Sequence, residues 1–268
     1  MTKKERIAKS DFIISFGTML NDNREDVRNS VIESIAKTNA KFTYMHPIDN
    51  IDLKLYYTQF IKYEVGSEEG ICALLLDTFV KKCDENLKEF IDNLDLGYIS
   101  AESSAGEEEF EEAYENYSEA KNKLLIIGDD LIEHERIENI IKLLALIKKY
   151  TDFELIVLND DLEDKINSCE NFDLEEIEEL KSFNGTLVYK LIDDAQNDKL
   201  ISSVTFANIA KVANNDEIYI KTKYEKIKRT LKIDETLNGT IAILRVKNGE
   251  DTFDGYRYKQ VKIEKVEA

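Results

Sequence analysis

Two stretches of the chain repeat one pattern: a short apolar run, a single glycine, then apolar residues spaced three and four apart. In the first stretch, Phe12–Phe16 reads as a buried strand running into Gly17. Val27, Val31, Ile32 and Ile35 then line one face of a helix predicted over 27–37, and a strand over Lys41–Met45 stops at His46-Pro47. In the second, Leu124–Ile127 leads through Gly128 to a helix over 137–149, striped by Ile137, Ile140, Ile141, Leu144 and Ile147. A strand over 154–158 follows. Strand, glycine turn, helix, strand is a βαβ crossover, and two of them predict a right-handed, Rossmann-like parallel sheet with helices on its faces. Between them, 57–63 reads as a further strand, and Gly66-Ser67 opens a helix running to Lys82 with Ser67 as its cap.

Residues 84–119 hold 13 acids and one base, Lys88, with Gly97, Ser103, Ser104 and Gly106 in the middle. That mixture predicts helical ends around an exposed loop. Its charge reads as a solvated surface rather than as a docking site for a basic partner. A second acidic stretch, 159–181, reads as a linker with a helix over 173–181.

From Thr186 the period changes to two. TLVYKLI, EIYIKTKY, KIKRTLKI, GTIAILRV and YRYKQVKIEKV read as strands, half-buried to judge from the alternation of Ile218, Ile220 and Thr222, with Asn238-Gly239 and Asn248-Gly249 as tight turns. The expected architecture is therefore an α/β domain over 1–160, an acidic linker over 161–182, and a smaller β-barrel-like domain over 183–268. Charge follows the same division. Residues 183–268 carry 15 basic and 13 acidic side chains, leaving 21 and 42 to the rest of a chain of net charge −19.

That acidity argues against general nucleic-acid binding, which requires cations against phosphates. No apolar run approaches membrane-spanning length, and MTKKERIAKSD has no signal-peptide core, so the reading is cytoplasmic. Cys72, Cys83 and Cys169 form neither a disulfide framework nor a CxxC pair. Cys72 falls in an apolar helix and reads as core.

The glycine turns are the places to look for a phosphate cradle, which needs free amides at a helix N-terminus and small residues around them. After Gly17-Thr18 come Met19 and Leu20, then Asp22, Glu25 and Asp26; after Gly128 come Asp129, Asp130, Glu133 and Glu135. These acids themselves complement the positive helix end and would repel a phosphate. Both turns read as structural corners, and GxGxxG is absent. The two histidines, His46 and His134, lack a second ligand at metal spacing, and no GxSxG elbow exists to present a nucleophile.

The order of the segments SDFIISFGT (10–18), NAKFTYMHP (39–47), VGSEEGICALLLDTF (65–79), EAKNKLLIIGDDL (119–131) with IENIIKLLALI (137–147), and NNDEIYIKTKYEKIKRTLKIDETLNGTIAI (214–243) resembles the molybdopterin oxidoreductase superfamily. The nearest likeness is to the degenerate domain in the C-terminal part of the large iron–sulfur subunit of bacterial respiratory complex I. The departures matter. Pro47 is followed by Ile48 and Asp49 where active members place a base, and Met19 and Leu20 stand where cofactor phosphates meet small residues. The family's metal-ligating residue and iron–sulfur cysteines lie upstream of the first matching strand, where this chain begins.

The resemblance thus implies scaffold without cofactor: no catalytic residue, no metal, and only a vestigial site at Gly17, Thr18, Gly66 and Ser67. It implies a non-catalytic accessory subunit or domain of an NADH-quinone oxidoreductase-like assembly, peripheral to the inner membrane through its complex. Its partners would be other respiratory subunits and an electron carrier such as flavodoxin. The rival expectation is a nucleotide- or pterin-binding enzyme using the Gly17 and Gly66 turns at one sheet edge. A third expectation is that the chain is a fragment of a longer protein.

Overall fold

The computed structural model describes residues 1–177, 179–193, 198–247, 249 and 252–266, the side chain of Asp22 excepted. The chain divides into two compact units. One comprises Met1–Pro47 and Asp52–Ser182; the other comprises Ile48–Ile51 and Phe183–Ala268.

The first unit is α/β. Strands β1 (Phe12–Phe16), β2 (Lys41–Met45), β3 (Gln59–Ile61), β4 (Lys123–Ile127) and β5 (Phe153–Val157) form one sheet in the order β3-β2-β1-β4-β5, every pair parallel. Phe12 registers with both Lys41 and Lys123, so β1 is the central strand, with its whole length buried. Alternation along the strands feeds two cores. Ile13, Phe42, Tyr44, Leu124 and Ile126 pack with Ile7 of α1 (Lys3–Ile7) and Val27 and Val31 of α2 (Glu25–Thr38). Phe12, Ile14, Phe16, Leu125 and Ile127 face a larger core built by α3 (Glu68–Phe79) and α7 (Ile137–Tyr150). Both faces of a parallel sheet must be covered, and here they are.

α7 is buried more widely than its stripe predicts, with Leu143, Ala145 and Leu146 also inside, because α3 packs against it and covers a further face. Acidic residues 84–119 form three helices rather than an exposed loop: α4 (Glu85–Asp92), α5 (Leu96–Ser103) and α6 (Glu107–Glu119). Asp84 and Asp95 cap the first two by accepting from Leu87 N and Tyr98 N, and Leu87, Ile99, Phe110 and Ala113 bury their inner faces. Small residues at 103–106 mark the break between helices, with Ser104 in the left-handed region, and not a longer loop. α3 stops at Phe79, short of Lys82.

α8 (Asp160–Asn167) follows β5, capped by Asn159. The helix expected over 173–181 is absent; apart from Glu178, which lies outside the described residues, that stretch has no regular secondary structure. It is a strap whose backbone groups bond to side chains instead of to one another. Asp173 O takes Lys142, Glu175 N and O both pair with the Asn139 side chain, Glu176 O takes Arg136, and Leu180 N donates to the Tyr98 hydroxyl. Specific side-chain partners override helix propensity here.

The second unit is a nearly closed, barrel-like mixed sheet in the order β11-β6-β10-β7-β9-β8-β12. Its strands are β6 (Leu187–Ile192), β7 (Lys199–Ser202), β8 (Glu217–Lys221), β9 (Lys226–Ile233), β10 (Ile241–Val246), β11 (Tyr258–Gln260) and β12 (Lys262–Lys265). YRYKQVKIEKV is not one strand. It breaks at Val261, so that β11 pairs with β6 and β12 with β8 at the two ends of the strand order. β7 and the following α9 (Val204–Ala210) carry no expectation from the periodicity. Ile218 and Ile220 point inward as their alternation requires. Of the two turns read in this region, Gly239 and Gly249 have positive φ, while Asn248 lies outside the described residues. Among the described residues, no helix is long and apolar enough to cross a membrane.

One contact fixes how tightly β1 and β4 can end together. A Cβ on Gly128 would lie 1.9 Å from the Gly17 carbonyl oxygen, although its φ of −88° suits any residue. Gly128→Ala is therefore expected to cost about 3 kcal/mol or more in urea unfolding, at the top of the overpacking range. Exposed Gly97 in α5, whose Cβ would meet nothing closer than 3.7 Å, should gain about 0.5–1 kcal/mol on the same change. Equal effects at the two positions would refute the close-approach explanation.

Candidate functional site

Open α/β sheets bind ligands beyond the carboxyl ends of their strands, at the point where strand order reverses. In this sheet the reversal lies between β1 and β4. Its edge is made by Gly17-Thr18 after β1, His46 after β2, the turn at Gly66-Ser67 after β3, and Gly128-Asp129-Asp130 after β4.

At this reversal the two corners pack directly on each other. Gly17 takes φ +69°, which turns the strand sharply, and the Leu131 side chain packs where a Cβ on Gly17 would stand, at 2.9 Å. Gly128 N donates to Phe16 O at 2.8 Å and Asp130 N to Gly17 O at 3.1 Å, so two amides of the second corner are spent on the first. Thr18 is buried, and its hydroxyl accepts from Leu20 N at 3.3 Å. Leu20 itself is wholly inside, in the core beneath α2. Arg24 reaches Asp129 across the same edge at 3.2 Å.

Both histidines of the chain lie at this edge, each against a buried acid. His46 Nε2 is 3.2 Å from Asp130 Oδ2, with both side chains at most 4% exposed, and its ring stacks on Tyr44. His134 Nε2 is 3.2 Å from the Gly66 carbonyl and 3.4 Å from Glu68 Oε2. In the neutral ring Arg136 N donates to His134 Nδ1 at 3.0 Å and the Nε2 proton faces Gly66 and Glu68; charging the ring places a proton on Nδ1 and gives up the Arg136 bond. Burial works against a charged His134 ring, but the hydrogen bond and charge of Glu68, with Gly66 and Glu69, outweigh it and hold the pKa above the ordinary imidazole value.

Next to this pair, Glu69 is the centre of a second cluster. Its carboxylate accepts from Arg136 Nε at 3.1 Å and from Asn139 Nδ2 at 2.6 Å, and those two side chains hold the strap at Glu175 and Glu176. Glu68 and Glu69 occupy the first turn of α3, where the positive helix end favours carboxylates. Ser67 stands at the N-cap position, yet its hydroxyl donates to Glu64 O at 2.6 Å and makes no cap bond to the helix.

The four residues singled out from sequence thus fall into two separate places. Gly17 and Thr18 meet the β4 corner, Gly66 meets His134, and β2 stands between β1 and β3 in the sheet. Sequence reasoning read Asp130 only as an acid complementing a helix end, and it missed Glu68, Glu69, Arg136 and Asn139. The available signal was two adjacent acids opening the otherwise apolar helix EEGICALLLDTF, with one histidine at the end of β2 and the other just before α7. Among the described residues, no group of three His, Cys, Asp or Glu side chains is placed to hold a metal ion. Both histidine–carboxylate pairs are buried, and they tie the ends of β2 and β3 to the segment after β4. The chain matches no protein-family model and no curated protein.

Two measurements test these contacts. Glu69→Ala leaves the Arg136 and Asn139 donors without their buried carboxylate and is expected to cost about 3 kcal/mol. It should also speed hydrogen exchange at the strap amides of Glu175 and Leu180; unchanged exchange would show that the cluster does not hold the strap. For His134, a folded pKa above the unfolded value of about 6.5 means stability present at lower pH and lost as pH rises through the folded value. The stability difference between the native chain and His134→Gln should therefore be present below the unfolded value of about 6.5 and shrink as pH rises through the folded value. A difference independent of pH would overturn the charged pairing with Glu68.

Proposed function

We propose that this chain is a non-catalytic accessory subunit or domain of an NADH-quinone oxidoreductase-like respiratory assembly, acting by docking rather than by chemistry. The observation that carries the reading is the filled sheet edge: Leu131, Thr18 and the Gly128 backbone stand where an open α/β sheet takes a ligand. The succession of a parallel α/β unit and a barrel-like β unit supports it, being the order the molybdopterin oxidoreductase resemblance implies. Such a subunit would sit on the cytoplasmic arm, peripheral to the membrane through its partners. Charge would orient it. A basic partner surface suits the acidic α/β unit, and an acidic carrier such as flavodoxin suits residues 183–268, with their 15 basic side chains. Complementarity of this kind sets encounter rate and specificity more than affinity.

The test is affinity recovery of the tagged chain from native membranes, where complex I-type subunits are expected with it in fixed proportion. Recovery without them would overturn the assignment. So would a stoichiometric flavin, pterin or iron–sulfur absorbance in the purified chain, or saturable thermal stabilisation by a nucleotide.

A further inference from the structure

The inner face of a barrel-like sheet is ordinarily apolar, and Val188, Leu200, Ile218, Leu231, Leu244 and Val261 make such a core in the second unit. β6 departs from the pattern. Val188 and Ile192 pack with that core, and strand alternation puts Lys190 between them on the same face. The lysine is only 8% exposed. Among the described residues its ammonium has neither a hydrogen bond nor an ion pair. A buried ammonium without a partner is costly, so this one calls for a counter-charge.

The side chains placed beside it are cationic too. Val188 stands opposite Lys259 in the β6–β11 pairing, and Lys190 N donates to Arg257 O at 2.8 Å, which sets Arg257 opposite Lys190. Opposite residues of an antiparallel pair share a face, and Val261, two residues beyond Lys259, belongs to the core on that face. Lys190, Arg257 and Lys259 therefore share the inner face. A guanidinium nitrogen of Arg257 lies 3.3 Å from the Lys190 carbonyl oxygen, which holds the fork against β6. Lys259 Nζ ends 3.4 Å from where a Cβ on Gly255 would stand, so this side chain runs back past Arg257. Burial and the Arg257 charge, with Lys259, hold the Lys190 ammonium below its ordinary pKa, while Asp254 and Glu225 act in the opposite sense. Neither acid pairs with Lys190, and Glu225 accepts from Phe253 N at 2.8 Å.

We propose that Lys190, Arg257 and Lys259 bind the phosphate group of a small molecule on the inner face of the second unit. A phosphate carries about two negative charges at neutral pH and several strong acceptor oxygens. It can accept from both ammonium groups and from a planar guanidinium fork at once, and it gives Lys190 the partner the fold withholds.

The probes are inorganic phosphate and glycerol 3-phosphate, titrated into the full chain at constant ionic strength and followed by calorimetry and thermal unfolding. Saturable binding with a rise in unfolding temperature is expected. Tighter binding of one probe assigns the site to the free ion or to an ester. Lys190→Met keeps the length of the side chain and removes a buried charge. It should unfold at a higher temperature without phosphate and bind phosphate about tenfold more weakly or worse. Arg257→Met should weaken binding likewise, whereas Lys262→Met, at an exposed position of β12, should leave it unchanged. Equal phosphate binding by Lys190→Met and the native chain, equal stabilisation by acetate at the same ionic strength, or no saturable binding would overturn the proposal. A nucleotide bound at the α/β sheet edge would still stabilise Lys190→Met, so that rival is told apart. Failure of membrane recovery leaves this site standing, and absence of phosphate binding leaves the docking reading standing.

Discussion

Where β1 and β4 end side by side, two strand-to-helix corners must share the space of one, and backbone meets backbone without room for a methyl group. That approach of Gly128 to Gly17 governs the placement of the residues after it. It brings Asp130 N onto Gly17 O, which sets Asp130 against His46, seats Leu131 over the first corner, and places His134 within reach of the Gly66 carbonyl. A side chain at residue 128 would push the corners apart and open the crevice that the fold now closes.

Closing it required burying charge. Ionised groups taken out of water recover their solvation only through close partners, and losing one partner leaves the other stranded. Each buried acid at this edge has such partners: Asp130 has His46, Glu68 has His134, and Glu69 has Arg136 and Asn139. Glu68 and Glu69 also sit at the positive end of α3, the position a bound anion takes in phosphate-binding proteins of this architecture. The protein's own carboxylates thus complement that helix end, and the Glu69 cluster extends the arrangement outward to the strap. A polar network of this kind contributes less to net stability than an apolar core would, but it fixes one arrangement of turn, helix and strap.

The same sign of charge has a different consequence on the outer helices. Inside, acids are few and paired. Along α6 they are exposed and stand in a row, with Phe110 and Tyr114 beside them. Repulsion within such a row is tolerable on a helix held by Phe110, Ala113 and Tyr117 against the core, and it leaves the outer face suited to cations.

Strand and helix order, the parallel α/β character, the change to a β-rich unit after residue 183 and the inward alternation of Ile218 and Ile220 were all legible in the sequence, because they rest on local period: two for strands, 3.6 for helices. Gly17 and Gly128 were legible as corners for the same reason. What local period cannot carry is partnership between distant residues. Nothing adjacent in sequence ties His46 to Asp130, or Glu69 to Asn139, which lie 84 and 70 residues apart. The acidic stretch 173–181 has the composition of a helix, yet its described residues have no regular secondary structure, because Asn139, Arg136, Lys142 and Tyr98 offer their backbone groups better partners than their own. Break positions at Ser104 and Val261 likewise depended on which faces found a core. The sequence by itself determined the βαβ units, their order and the change to a β-rich unit, while β7, α9 and the strap emerged only in the fold; the tertiary structure alone decided which charges are buried in pairs and which are left facing out, because charge pairing depends on distance in space and not along the chain.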